Sequence, residues 1–194
     1  MAKFYSELTD ALQSFIADQH IFFTATAPHQ GRINLSPKGI DTLRCLDAHT
    51  VAYLDLTGSG NETSAHLIEN GRMTLMFCSF SDRPVILKLY GTGSVIRFSD
   101  PDWTALYPHF KLIPGARQII KMQIESAQTS CGNGVPIYEF VSDRSAIVTW
   151  AEKKGQAGLE QYWRDKNQTT IDGLPTYLLQ SSKASQSRSL ETPD

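Results

Sequence analysis

The run Gly58-Ser59-Gly60-Asn61-Glu62-Thr63-Ser64 holds the densest set of groups able to bind an anion. Its glycines let the backbone turn where side chains would clash. A turn leading into a helix can gather N–H groups around a phosphate. Asn61 suits the N-cap, with its side chain accepting from the N–H of Thr63 or Ser64. Thr63 and Ser64 add hydroxyls. Glu62 works against such a ligand, because a carboxylate in the first turn repels a phosphate. The ordinary alternative is a plain strand-to-helix turn.

A second row of chemistry lies upstream. Arg32, Asn34 and Ser36 alternate with Ile33 and Leu35, so a strand there has one polar and one apolar face. Either the polar face meets solvent, as on many strands, or it meets the heteroatom edge of a ligand ring. Lys38 can place a positive charge near a ring carbonyl or a phosphate, and Lys88 offers another. His66, Tyr90 and Lys88 are able to assist proton transfer, but no spacing singles one out. The ordinary place for His66 is the surface of a short helix.

Metal and disulfide chemistry have no local signature. Cys45, Cys78 and Cys131 are an odd set without CxxC spacing, and Cys78 sits in an apolar strand suited to packing. The five histidines form no HxxxH or HxH pair, so no metal site is expected. A net charge of -2 gives no footprint for nucleic acid or an anionic membrane. No apolar run spans a bilayer. MAKFYSELTD lacks the apolar centre of a secretory signal, which makes the cytoplasm the expected location.

The elements that must carry these residues follow from periodicity. Phe4, Leu8, Leu12, Phe15 and Ile16 recur at helical spacing and predict a helix over 4–18. Strands are expected over 20–27 and 32–36, the second ended by Pro37-Lys38-Gly39, and over 51–56. The residues 42–47 fit a short strand or a turn. After the Gly-rich turn, Ala65, Leu67 and Ile68 give a short helix that stops at Asn70-Gly71. Strands over 72–80 and 85–96 come next, then a helix opened by Asp100 and Pro101 and ended near Pro108. A strand over 117–127, a turn at Gly132-Asn133-Gly134, a helix over 152–166 entered near Gly158, and a compact turn over 171–175 complete the order. Six or seven strands with few long helices predict a mainly β chain, an antiparallel barrel. A single domain over 1–180 is expected, with a polar, Ser-rich, disordered tail over 181–194.

In that order the motifs resemble a family. They are Arg32 to Gly39 (RINLSPKG), Gly58 to Thr63 (GSGNET), His66 to Arg72 (HLIENGR), Leu87 to Gly91 (LKLYG), Ser130-Cys131-Gly132, Val135-Pro136 and Ile171 to Pro175 (IDGLP). The chain resembles the pyridoxamine 5'-phosphate oxidase-like, FMN-binding split barrels over about residues 4–178. The resemblance implies a six-stranded split barrel and a homodimer with FMN in clefts between subunits. It sets the main chain of Arg32, Ile33, Asn34, Leu35 and Ser36 beside the isoalloxazine ring. Asn61, Thr63 and Ser64 match the phosphate-gripping segment, while Lys88 lines the same cleft. The oxidase proper carries basic residues where this chain has Glu62 and Thr63, so here hydroxyls and backbone donors are expected to hold the phosphate, with Arg32, Lys38 or Lys88 supplying charge. The Arg-rich C-terminal segment that holds pyridoxal phosphate has no counterpart, which argues against vitamin B6 oxidation. The implied activity is a flavin-dependent oxidoreductase for a small-molecule substrate. The alternatives are a non-catalytic flavin- or haem-binding protein, a deazaflavin in place of FMN, and a structural dimer without cofactor.

Overall fold

The computed structural model describes residues 2–180. The tail expected over 181–194 lies outside them. All strands join one antiparallel sheet: β1 (Lys3–Tyr5), β2 (Phe22–Thr26), β3 (Asn34–Lys38), β4 (Leu43–Cys45), β5 (Thr50–Leu56), β6 (Arg72–Cys78), β7 (Val85–Ile96) and β8 (Ala116–Cys131). Their order is β3-β2-β6-β7-β8-β5-β4, with β1 added on β8. The sheet curls into a barrel left open between β3 and β4, the split-barrel arrangement. Six strands have five residues or more, as expected; of the two short ones, β4 takes the strand alternative over 42–47, and β1 falls where a helix is predicted.

The barrel interior is closed by apolar side chains from opposed strands. Phe22, Tyr53, Leu75, Phe77, Leu87, Leu89, Ile120 and Met122 meet Leu12 and Ile16 of α1 (Asp10–Ala17). The longest strands bend at a bulge between Tyr90 and Gly91. There a Cβ on Gly91 would lie 2.0 Å from the Gln123 carbonyl oxygen, so only glycine permits the backbones to approach. On the other side of β5 and β8, Leu54, Ile96 and Ile119 pack on Trp103 of α3 (Pro101–Leu106).

The helix predicted over 4–18 is shorter than its periodicity. Thr9 caps it, its hydroxyl accepting from the Leu12 N–H at 3.4 Å, and Phe4 instead pairs with Gln128 as strand. The helix predicted over 152–166 belongs to a longer one, α4 (Ala146–Lys166), broken at Gly155, whose φ of 61° suits glycine. The strand predicted over 32–36 is shifted to 34–38, running through Pro37 rather than stopping at it. β3 is an edge strand, so a residue without an N–H costs no ladder bond when its nitrogen faces outward.

Candidate functional site

The polar row of β3 points into the barrel rather than to water. Asn34 pairs with Thr26 and Ser36 with Thr24 across the ladder, and antiparallel partners share a face. The Asn34 amide donates to the Thr63 hydroxyl at 3.0 Å and the Ser36 hydroxyl donates to Asn34 Oδ1 at 3.0 Å. Thr26 Oγ1 in turn lies 3.0 Å from His66 Nδ1. One chain of contacts thus ties β3, β2 and α2 (Glu62–Asn70) together. The apolar partners turn outward: Ile33 is 76% exposed and Leu35 64%. The alternation is as predicted, with the faces reversed relative to the ordinary expectation.

Lys38 ends this row. Its ammonium donates to Asp55 Oδ1 at 2.9 Å, while the other carboxylate oxygen accepts from Arg117 Nε at 2.7 Å and Gln118 Nε2 at 2.9 Å. Burial alone would raise the Asp55 pKa, but the charges of Arg117 and Lys38 outweigh it and hold the carboxyl well below the usual range. Two cations share one carboxylate, so the group keeps a net positive charge beside the barrel opening. Sequence reasoning missed Asp55, Arg117 and Gln118. Their only local trace is a lone carboxylate inside the apolar run of β5.

The Gly-rich loop is turned inward as well. Asn61 stands at the N-cap position but makes no capping bond; its Oδ1 accepts from Gln118 Nε2 at 2.7 Å. A buried amide with a closer partner has no reason to turn back to the helix. The loop is covered by a C-terminal strap of residues 167–178. Asn167 Nδ2 donates to the Gly58 carbonyl at 3.2 Å, and the Ser64 hydroxyl donates to the Thr176 carbonyl at 3.2 Å. Glu62, read as a charge opposing a ligand, accepts from the Ile171 N–H at 3.2 Å. The strap's Asp172 accepts from the Arg32 N–H at 2.7 Å and forms an ion pair with the Arg32 guanidinium. Its carboxyl is held below the usual range, first by that N–H and then by the guanidinium charge.

The predicted residues therefore divide. The structure brings Asn34, Ser36, Lys38, Asn61, Thr63 and Ser64 together beside β3, with Asn61, Thr63 and Ser64 buried beneath the strap and Arg32 exposed next to them. It does not bring Lys88 there. Lys88 alternates with the buried Leu87 and Leu89 on β7, so its side chain leaves by the outer face of the sheet. His66 is buried, not a surface residue; burial holds its pKa below the ordinary imidazole value. Tyr90 donates its hydroxyl to Gln128 Oε1 at 2.9 Å, also on the outer face.

The donor set fits a flavin mononucleotide at two points and refuses it at a third. By strand alternation, an outward nitrogen at Pro37 leaves the N–H and carbonyl of Leu35 on the same free edge, where no other strand pairs among the described residues. Such a row matches the donor and acceptor edge of the ring. Arg32 supplies a solvent-facing cation and a backbone N–H, both engaged by Asp172. The hydroxyl grip does not fit: Ser64 is committed to the strap, Thr63 accepts from Asn34, and Asn61 faces Gln118. Among the described residues, no cluster of His, Cys, Asp or Glu is arranged to hold a metal ion. Nor is any helix there long and apolar enough to cross a membrane.

An antiparallel barrel opened beside an edge strand defines the split-barrel class. Comparison with known proteins narrows this. The model of the family described as pyridoxamine 5'-phosphate oxidase matches residues 8–131. The pyridoxamine 5'-phosphate oxidase family protein ustO of Aspergillus flavus is 40% identical over 193 residues, covering 90% of this chain and 78% of that protein. The chain belongs to the pyridoxamine 5'-phosphate oxidase family. Solved structures agree on the fold. A HupZ variant from Group A Streptococcus matches at TM-score 0.53 and 19% identity, over 63% of this chain and 98% of its own. A candidate pyridoxamine 5'-phosphate oxidase of Lactobacillus delbrueckii matches at TM-score 0.53 and 18% identity, over 63% and 94%.

Proposed function

We propose that the protein is an FMN-dependent oxidoreductase acting on a small molecule, with the flavin laid along the free edge of β3. The observation that carries this reading is the outward row of backbone groups on β3, backed by the net positive Lys38–Asp55–Arg117 group. The flavin supplies the redox chemistry when bound; the protein binds it, orients it and biases its electronics. Lys38, fixed by Asp55, holds positive charge near a ring carbonyl, and Arg32 takes the phosphate. The Asn34–Thr63–Thr26 contacts keep β3 in register with α2 so that the edge presents a fixed pattern.

A homodimer is part of the proposal. Ile33, Leu35 and Phe4 expose large apolar side chains on the outer side of the sheet. Ile33 and Leu35 beside β3, and Phe4 on β1 at the far side of the sheet, are separate exposed apolar positions that suit contact with another molecule. A second copy beside β3 covers the ring where this chain leaves it open. A cleft of about 1900 Å³ flanks β3, with Phe23, Pro37, Lys38, Gly39, His20 and Phe140 among its walls. It gives a small substrate room to approach.

One observation favours a binding role without catalysis. His66 and Tyr90, the side chains best suited to move protons, are committed inside or outside the barrel and away from the edge. Two measurements test the reading. FMN is expected to bind about tenfold more tightly than riboflavin, as a charge-assisted phosphate contact implies, and that preference is lost in Arg32→Ala. Equal affinity for both, in wild type and variant, contradicts the assignment of Arg32. Bleaching of the bound flavin by NADH or NADPH and recovery in air mark an oxidoreductase; a flavin unmoved by either marks the binder.

A further inference from the structure

The atoms of Arg32 that suit an anion already hold one. The Asp172 carboxylate accepts from the Arg32 backbone N–H at 2.7 Å and meets its guanidinium. It reaches this position because Gly31 has no side chain: a Cβ there would lie 2.7 Å from Asp172 Oδ2. Gly31 also has a φ of 127°, in the region glycine favours. Backbone and side-chain donors converge on one carboxylate, at a residue whose own side chain is 68% exposed. That geometry, a main-chain N–H beside a guanidinium, is the chemistry that recognises a phosphate monoester.

We propose that Gly31 and Arg32 form a seat for a phosphate monoester, and that Asp172 is its internal occupant, which an incoming phosphate must displace. The inference rests on the reading of Arg32 given above and adds the regulation of that seat. Displacement does not require the strap to leave. The strap is anchored independently by Asn167 on the Gly58 carbonyl and by Ser64 donating to the Thr176 carbonyl, and a bridge between Thr169 and Pro175 braces it internally. Only the side chain at its tip needs to move. Asp172 lies in a turn with Gly173 at a φ of 85°; the Gly173 N–H donates to the Thr170 carbonyl at 3.0 Å and keeps the turn, while a Cβ built on Gly173 would meet no atom within 4 Å, so space beside the tip is open for the Asp172 side chain to swing away. Glu62 stays engaged by the Ile171 N–H and opposes the phosphate less than a free carboxylate does. The balance is a competition: a ligand shifts it only by its differential affinity for the seat.

The test compares wild type, Asp172→Asn, Asp172→Ser and the double variant Arg32→Ala/Asp172→Asn. Each is first checked for an unchanged thermal transition. FMN, riboflavin and inorganic phosphate are the probes, the last followed by phosphorus NMR. The proposal expects FMN and inorganic phosphate to bind about fivefold more tightly to Asp172→Asn and Asp172→Ser, the scale of a released exposed ion pair. Riboflavin affinity stays where it is, and the double variant loses the gain. Equal or weaker binding of inorganic phosphate to both single variants overturns the proposal. A riboflavin gain equal to that for FMN overturns it too, since the effect then lies in the strap and not in the seat. If neither flavin binds any form but inorganic phosphate gains on Asp172→Asn, the seat and its occupant stand and the flavin reading fails.

Discussion

Arg117 and Asp55 meet 2.7 Å apart inside the barrel, on neighbouring strands, both almost fully shut off from water. A buried ion pair of this kind is weak evidence for net stability, but removing one partner leaves a charge without compensation. Asp55→Ala is therefore expected to lower the unfolding free energy by about 3–5 kcal/mol. Urea denaturation monitored by far-UV circular dichroism checks this. A loss below about 1 kcal/mol, the range of exposed pairs, would show that water reaches the cluster.

The same carboxylate sets an acid limit. Its folded pKa lies below the unfolded reference of 3.8, so its stabilisation is complete above that reference and lost as pH falls toward the folded value. The thermal midpoint of wild type is expected to drop as pH goes from 5 to 3, and Asp55→Asn should flatten that part of the curve. Parallel curves for the two proteins would place the acid sensitivity elsewhere.

His66 gives a second window, at higher pH. Burial holds its pKa below the ordinary imidazole value of about 6.5, so the unfolded chain takes up a proton that the folded chain resists. Stability from this residue is present above 6.5 and declines as pH falls below it. His66→Gln is expected to remove the decline between pH 7 and pH 5, read from midpoints across that range. An unchanged slope would mean that the imidazole is protonated without cost in the folded state.

Gly91 tests the bend in the barrel. Its absent side chain allows the Gln123 carbonyl to approach, and Gly91→Ala forces β7 and β8 apart. A cost of about 1–3 kcal/mol, the range of overpacked sites, is expected in chemical denaturation, with a weaker flavin affinity if the bend shapes the open edge. Wild-type stability in this variant would show that the bulge is soft.

Local signals carried the middle of the chain well. The helix after the Gly-rich loop ends where Gly71 takes a φ of 71°, and β7 has the bounds that its alternation predicts. These features depend on neighbours a few residues away. The site depends on partners far apart in sequence: Asp55 with Arg117, Asn61 with Gln118, Arg32 with Asp172. No periodicity reports such pairs. Asn61 shows the limit most clearly, for its N-cap position was legible while its side chain obeys a distant strand. Lys88 shows another: alternation gave its face, but only the curl of the sheet decides which face is inside.

A flavin phosphate bound at the open edge of the barrel would travel with the protein through purification. The most direct measurement is to purify the native protein, release its small molecules by denaturation, and identify them by mass spectrometry alongside the visible spectrum. FMN at about one per subunit and a yellow wild-type protein are expected, with a smaller share of FMN retained by Arg32→Ala. Haem, a deazaflavin or no ligand at all, in protein that also fails to take up added FMN, would contradict the flavin reading.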